Sequence, residues 1–188
     1  MQQINGKIAF GGIAIGKIKE VFKENNVVRR VKIDDTQAEI SRFRAAKDQA
    51  TEELKALYDK AVKEVGEANA AIFEVHQMML EDEDYLDSIC NIIAVQSVNA
   101  EFAVATTGDN FARMFADMDD DYMKARSADI HDISDRLVSI LSGRKQKSAK
   151  DFATGANKII CTEDFLPSEI IQFCENNAQG FLTAFGSS

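Results

Sequence analysis

The sequence contains no tryptophan, one proline, two histidines and three cysteines among its 188 residues. A single proline leaves few positions at which a helix must break, so the composition favours a largely helical protein. Cys90, Cys161 and Cys174 are an odd number of thiols without Cys-x-x-Cys spacing, and they predict neither a zinc site nor a disulfide framework. They fit a reducing, cytoplasmic environment.

Positive charge is also scarce. The chain carries 22 Lys and Arg against 31 Asp and Glu, which gives a net charge of −9 and a pI near 4.8. This balance argues against nucleic acid and against an anionic membrane surface, and it favours attraction of a basic protein. We find no charged-then-apolar leader and no apolar run long enough to span a bilayer.

The most informative stretch is Ala71–Tyr85, AIFEVHQMMLEDEDY. Met78 and Met79 lie directly before the acidic run Glu81–Asp84. An adaptable apolar surface beside concentrated negative charge is typical of a docking face for a basic protein. The same pattern also fits a helix end with core methionines and a solvated acidic turn, so both interpretations stay open on the residues alone.

The middle of the chain has the period of amphipathic helices. From Asp35 to about Val65, apolar and small residues recur every three or four positions, which predicts one long helix that Gly66 ends. Four further helices are predicted, the first two either separate or continuous through a bend: Asn69–Leu80, Asp82–Val95, Asn99 to about Met118, and Tyr122–Leu141. Residues 35–142 are therefore predicted to form an antiparallel helical bundle of paired hairpins.

The two ends of the chain have a different character. Residues 2–22 are rich in glycine and isoleucine, which predicts a glycine-bent strand or two. Lys158–Cys161, a helix within 164–177 and Gly180–Phe185 form a strand–helix–strand pattern typical of a parallel sheet. We predict a mostly α fold in which the bundle, 35–142, is inserted into a small α/β subdomain made of 1–22 and 150–188, with linkers about 23–34 and 143–149.

Few residues are catalytic in type. His76 and His131 could each act as a general base or phospho-acceptor, because histidine titrates near neutral pH, but lone histidines on helices are more often structural. The sequence has no repeated Glu-x-x-His pair, no Gly-x-Ser-x-Gly and no plausible Cys–His dyad. On the residues alone the sequence predicts no metal site, and it leaves open whether either histidine is catalytic.

Four blocks, in this order and spacing, identify a family: IFEVHQMMLEDED, DDDYMKARSADIHDI, EDFLPSEIIQF and GFLTAFGSS. Together they resemble the N-terminal domain of bacterial Enzyme I, the phosphoenolpyruvate–protein phosphotransferase of the sugar phosphotransferase system. The resemblance covers the whole chain. It implies a transferase with a phosphohistidine intermediate, in which an α/β phosphohistidine-type subdomain carries an inserted helical subdomain that binds the phosphocarrier HPr.

The resemblance also implies which residues face HPr. Met78, Met79, Tyr85 and Phe115 would form an apolar centre. An acidic rim would face the basic patch of HPr, and Arg126 would offer a forked donor. The whole set is Glu67, Ala71, His76, Met78, Met79, Asp82, Tyr85, Phe115, Tyr122 and Arg126.

The acceptor histidine of the family lies a few residues after the glycine-rich turn that opens at Gly186, and neither His76 nor His131 matches it. The resemblance therefore implies an α/β subdomain truncated at its C-terminus, with Leu166, Gly186, Ser187 and Ser188 near the active-site loop. Phosphoenolpyruvate and Mg²⁺ would bind in a C-terminal barrel outside this chain, so no cofactor is expected here. We expect a monomer that binds HPr without accepting phosphate, although the parent enzyme would be a homodimer.

Two departures from the family pattern bear on these expectations. Leu166 stands where the family often has a threonine that can contact the active histidine, and Phe10-Gly11-Gly12 stands where the family has Ser-Pro-Gly. The alternative function is a helical protein-interaction adaptor with no phosphotransfer role. That adaptor would have no histidine soon after Ser188 in its reading frame.

Overall fold

The computed structural model describes residues 5–8, 11–21, 28–143, 155–163, 165 and 167–184. In this part of the chain the elements are, in order, β1 (Lys17–Glu20), α1 (Thr36–Val65), α2 (Glu67–Leu80), α3 (Glu83–Gln96), α4 (Ala100–Ala116), α5 (Asp121–Leu141), β2 (Lys158–Thr162), α6 (Pro167–Glu175) and β3 (Gly180–Thr183). The predicted fold class, mostly helical with a small α/β part, is confirmed. No helix among these residues is both long enough and apolar enough to cross a bilayer.

The elements divide into two compact units. Met1–Glu24 and Lys147–Ser188 form the α/β unit, and Asn25–Gln146 forms the helical unit. In the sequence, the helical unit is thus inserted between the two segments that make up the α/β unit.

The long helix α1 begins and ends at residues suited to those positions. Asp35 is its N-cap, and the Asp35 carboxylate accepts a hydrogen bond of 2.9 Å from the backbone N–H of Ala38. This bond satisfies a donor that would otherwise have no partner, and the negative charge complements the helix dipole. Gly66 ends α1 with φ at +85° and directly precedes α2, so the first helical hairpin turns on a residue that adopts positive φ without strain.

The core of the helical unit consists of the periodic apolar positions. Helix α1 contributes side chains at three- and four-residue spacing, and the later helices contribute matching faces. Burying one such large side chain stabilises the fold by roughly 1.5–3 kcal/mol. The largest of these buried residues are Phe43, Leu54, Phe73, Leu80, Tyr85, Ile89, Ile93, Val104, Ile133 and Leu137.

The segment before α1 is held in place by backbone pairing. Lys32 forms an antiparallel bridge with Val98, in the turn between α3 and α4. The N–H of Ile33 donates to Ser97 O at 2.9 Å, and the N–H of Asn99 donates to Val31 O at 3.0 Å. This part of the expected linker 23–34 is therefore fixed to the bundle.

Arg42 ties three helices together. It donates to both carboxylate oxygens of Glu39 and of Glu101, at 2.6–3.0 Å, and to the carbonyl of Leu141 at 2.9 Å. All five guanidinium N–H donors have an acceptor, the full capacity of the group. The start of α1, the start of α4 and the end of α5 therefore share one arginine.

The α/β unit contains a three-stranded parallel sheet in the order β1-β2-β3. Helix α6 connects β2 to β3, as the strand–helix–strand pattern predicted. Ile160 and Phe173 form its small core, packed against Val21, Phe165, Ala178 and Phe181. The described part of 180–185 forms a strand only over Gly180–Thr183, and Phe185 lies outside the described residues.

The segment 2–22, in which the sequence predicts a glycine-bent strand or two, contains the strand β1 among its described residues. Only Lys17–Glu20 of the glycine- and isoleucine-rich segment 2–22 is a strand among the described residues, and all four of its residues are exposed. Residues 11–15 form no strand. Glycine weakens a strand because it loses more conformational entropy on folding and has no side chain to pack. Gly11 and Gly12 lie in this segment and Gly16 follows it.

Candidate docking site on the helical unit

One face of α2 carries three of the predicted residues. Glu67, Ala71 and Met78 are spaced four and seven residues apart, so they lie along a single stripe of the helix. Glu67 is exposed, Ala71 is half-buried and Met78 is 70% exposed. An acidic side chain and a thioether therefore reach solvent on the same face; we call this stripe, with Met79 and Asp82, the docking face.

The acidic run at the end of α2 has a local structural role as well as an exposed position. Asp82 is the N-cap of α3, and its Oδ1 accepts a hydrogen bond of 2.9 Å from the N–H of Tyr85. Glu83 and Asp84 occupy the first turn of α3, where negative charge is favoured by the helix dipole. All four acids, Glu81–Asp84, are exposed. Their charge is thus both compatible with the fold and accessible to a partner.

The start of α5 presents an aromatic–guanidinium pair. The Arg126 guanidinium lies over the Tyr122 ring at 4.5 Å from the ring centroid, and it donates 2.7 Å to the Tyr122 hydroxyl and 2.8 Å to Asp129 Oδ2. Burial is the largest effect on the Arg126 pKa and lowers it, but the hydrogen bonds to Asp129 and Tyr122 outweigh burial and raise the pKa overall. Tyr122 is exposed, and Arg126 is half-buried, as is Phe115 near the end of α4.

Two of the predicted residues lie in the core. His76 and Tyr85 are each only 1% exposed, so the expectation that their side chains belong to an accessible surface is wrong for this structure. The Tyr85 hydroxyl lies 2.9 Å from Ser134 Oγ, and its ring packs edge-on against Phe111. Burial raises the pKa of Tyr85. The sequence held the signal, since Tyr85 opens the apolar stripe that continues through Ile89 and Ile93.

His76 connects to the surface through a carboxylate. Its Nε2 lies 3.4 Å from Asp129 Oδ1, and its Nδ1 lies 3.9 Å from Asp132 Oδ2. Burial is the largest effect on the Asp129 pKa and raises it, but hydrogen bonds to His76 and Arg126 outweigh burial and lower the pKa overall. The buried His76 and the half-buried Arg126 therefore share one carboxylate, that of Asp129.

Sequence reasoning missed Asp129 and Met114. Asp129 is three residues after Arg126, the spacing of an ion pair on a helix, and this spacing was the signal. Met114 is 50% exposed on α4, and nothing in the local pattern distinguishes it from a core methionine.

The other predicted residues lie elsewhere. His131 is exposed, with Nδ1 3.9 Å from Asp109 Oδ1, and lines an open cavity of about 330 Å³ beside Phe102 and Asp135. Among the described residues no group of three or more His, Cys, Asp or Glu side chains is arranged to hold a metal ion. Leu166, Gly186, Ser187 and Ser188 lie outside the described residues.

The fold and the comparisons define the class of protein. The family model described as PEP-utilising enzyme, N-terminal, matches residues 5–126. A solution structure of Enzyme I superimposes with a TM-score of 0.74 and 30% identity over 90% of this chain and 68% of that one. The chain therefore belongs to the class of N-terminal domains that this family model describes. A structure described as the N-terminal domain of Enzyme 1 - Nitrogen, with TM-score 0.67 and 20% identity over 94% of this chain and 71% of that one, supports the fold alone.

Two relatives identify the family within this class of proteins. The chain is 37% identical over 186 residues to the phosphoenolpyruvate-protein phosphotransferase of Bacillus subtilis (strain 168), covering 99% of this chain and 32% of the relative. It is 35% identical over 185 residues to that of Haemophilus influenzae (strain Rd), covering 97% and 32%. The chain belongs to the Enzyme I family, as the four sequence blocks predicted. It spans about a third of the length of these relatives.

Proposed function

We propose that this chain docks the phosphocarrier HPr through the docking face and the Tyr122–Arg126 pair. The observation that carries the proposal is the Met78 thioether, which is 70% exposed on the same helix stripe as Glu67 and three residues before the first of four exposed acids. Single exposed apolar side chains are common on protein surfaces; Met78 is distinguished by the acidic Glu67 on the same stripe and by the exposed acids Glu81–Asp84 that follow the helix. HPr, with its basic patch, has the complementary charge.

The chain would act as the recognition part of a cytoplasmic phosphoenolpyruvate–protein phosphotransferase. In that enzyme a phosphohistidine would carry the phosphoryl group to HPr, and Mg²⁺ and phosphoenolpyruvate would bind outside the third of the relatives that this chain matches. We assign no residue of this chain to either ligand. The chain alone would be a monomer, and the whole enzyme a homodimer.

Neither histidine of the chain suits the role of phospho-acceptor. His76 is buried between Asp129 and Asp132, and His131 lies beside Asp109. A phosphoryl group at either imidazole would add negative charge next to carboxylates, which is unfavourable. Incubation with labelled phosphoenolpyruvate, HPr and a full-length Enzyme I is expected to leave no acid-labile phosphate on this chain. Label on either histidine would contradict this assignment.

Titration with purified HPr tests the docking proposal. We expect binding in the micromolar range by calorimetry, weakening as salt is raised because exposed charges are screened. Met78→Asp is expected to weaken binding by more than about 1 kcal/mol, since it places a charge in the apolar part of the contact.

Val95→Asp is the matched control, because Val95 is 74% exposed but lies at the far end of α3. We expect this variant to bind HPr as the parent chain does. No heat and no chemical-shift change on adding HPr to the parent chain would refute the proposed function. Equal losses in the two variants would place the contact elsewhere on the molecule.

A further inference from the structure

Five methionines lie in the helical unit, at three places. Met78 and Met79 lie near the end of α2, Met114 in the last turn of α4 with Met118 just after that helix, and Met123 in the first turn of α5. The chain has six methionines in all, and the sixth is Met1. Met78 is 70% exposed and Met114 is 50% exposed, whereas the other three are half-buried. Their sulfur atoms therefore differ in access to dissolved oxidants.

We propose that Met78 is an oxidation-sensitive site whose conversion to the sulfoxide weakens docking. This inference rests on the proposed function, because it concerns the regulation of the same face. The oxidant is a peroxide. The peroxide O–O bond breaks, one oxygen atom forms the S–O bond of the sulfoxide, the sulfur is oxidised by two electrons, and hydrogen peroxide is reduced to water.

The chemical change acts on the property that makes Met78 suited to docking. A thioether is apolar and polarisable and packs against irregular surfaces, whereas a sulfoxide is polar and a strong acceptor. Burying that oxygen against an apolar partner surface without a donor is unfavourable. The adjacent acids Glu81 and Asp82 accept hydrogen bonds and offer no side-chain donor when ionised.

The position of Met78 separates this effect from oxidative damage. Most of the side chain is already in solvent, so oxidation changes the surface without inserting a polar group into the core. The modification is also reversible, because methionine sulfoxide reductases restore the thioether. The site can therefore be switched while the helical unit stays folded.

The three cysteines can also react with peroxide, and the experiment must separate their oxidation from that of methionine. Cys174 is exposed, and Cys90 and Cys161 are half-buried. Burial, the largest effect, raises the pKa of the Cys90 thiol, which lowers its share of reactive thiolate. Dithiothreitol after the peroxide reverses disulfides and sulfenic acids but leaves methionine sulfoxide intact. Cysteine sulfinic and sulfonic acids also survive it, so peptide mass mapping of the cysteines and the Met78→Leu comparison assign the effect that remains.

The experiment uses hydrogen peroxide as the probe on the parent chain, Met78→Leu and Met114→Leu. Each protein is treated, quenched and reduced. Peptide mass mapping locates the added oxygen, circular dichroism checks the fold, and calorimetry gives the HPr affinity relative to the untreated sample of the same protein. We expect an affinity loss of about fivefold or more in the parent and in Met114→Leu, and a ratio near one in Met78→Leu. Methionine sulfoxide reductases are expected to restore the parent's affinity.

The outcomes separate this inference from the proposed function. No HPr binding by the untreated parent chain refutes the proposed function and the inference with it. Unchanged affinity in a parent chain whose Met78 is fully oxidised overturns the inference alone. An equal loss in Met78→Leu, or oxidation of Met114 while Met78 stays unmodified, also overturns the inference and leaves docking intact.

Discussion

The helical unit and the α/β unit treat their apolar side chains in opposite ways. In the helical unit, the three- and four-spaced positions of α1 to α5 are almost all buried, and polar groups such as Arg42 and His76 have partners within the same unit. In the α/β unit, Ile160, Ile171 and Phe173 are buried, but Ile8, Ile13, Ile15 and Ile18 are largely exposed. An amphipathic stripe finds its partner within a bundle, whereas a strand buries its side chains only when a second layer covers it.

This difference in burial bears on which unit can hold the side chains of the docking face in fixed positions. The docking face lies on α2 and the turn into α3, and both helices are anchored by fully buried residues such as Phe73 and Ile89. A site built on packed helices keeps its side chains in place better than one built on loops. The residues of the docking face therefore lie on helices whose opposite sides are packed in the core.

The largest expected effect comes from removing a core ring of the helical unit. Phe73 is buried at 1% exposure, and Phe73→Ala is expected to lower the free energy of unfolding by about 3–5 kcal/mol because it leaves a cavity. Ile13→Ala is the matched change in the α/β unit. Ile13 is 95% exposed, and its loss is expected to matter by less than about 0.5 kcal/mol. Urea unfolding of both variants measures the two changes in the free energy of unfolding. Comparable losses in the two variants would contradict the difference between the units.

The two units also differ in how much of their structure could be predicted from the sequence. The helices were predictable because α1 repeats its apolar positions over thirty residues and has an aspartate cap and a glycine stop. The parallel sheet was predictable from one strand–helix–strand pattern. The position of β1 within residues 2–22 was not predictable, because isoleucine content indicates β propensity but not where a neighbouring strand is available for pairing.

The candidate site was predictable only in part, and the reason is again physical. The stripe of Glu67, Ala71 and Met78 follows from helix geometry. The burial of His76 and Tyr85 does not, because it depends on Asp129, Phe111 and Ser134 from helices far along the chain. One sequence shows which side chains share a helix face but not which neighbour covers that face.

A smaller effect is expected where α4 and α5 approach closely. A Cβ added at Gly108 would lie 2.8 Å from Ser134 Cβ and closer still to Ser134 Oγ. Ser134 is itself buried and hydrogen-bonded to Ile130 O and the Tyr85 hydroxyl, so it cannot move freely. Overpacking costs about 1–3 kcal/mol and the gain in helix propensity offsets about 1 kcal/mol of it, so Gly108→Ala is expected to destabilise by up to about 2 kcal/mol.

Gly12→Ala is the counterpart in the α/β unit, because nothing lies within 4 Å of a Cβ there and its φ is not positive. We expect this variant to be neutral or stabilised by about 0.4–1 kcal/mol, through a less flexible unfolded chain. Thermal unfolding of the two glycine variants tests the difference in packing directly. A Gly108→Ala protein as stable as the parent would mean that α4 and α5 have room to separate.

The smallest effect concerns the arginine that joins three helices, and it depends on pH. Hydrogen bonding to Arg42 is the largest effect on the Glu39 pKa and lowers it. At Glu101, burial is the largest effect and raises the pKa. Hydrogen bonds to Arg42 and Asn99 outweigh burial there, so the Glu101 pKa is also lowered overall. Because both carboxyl pKa values lie below those of the unfolded chain, the stabilisation is fully present above about pH 4.5 and is lost as the pH falls through the lower folded values.

Arg42→Met is therefore expected to cost roughly 1–2 kcal/mol at pH 7 and progressively less towards pH 3, since a partly exposed pair is weakened by solvent. Lys47→Met is the control, because Lys47 pairs at 3.2 Å with an Asp48 side chain that is 74% exposed; such surface pairs contribute little. Thermal melts of the parent and both variants between pH 7 and pH 3 give the comparison. If Arg42→Met and the parent lose stability in parallel as the acid is added, the network does not couple those carboxylates to the fold, and the helical unit is held together by its apolar core alone.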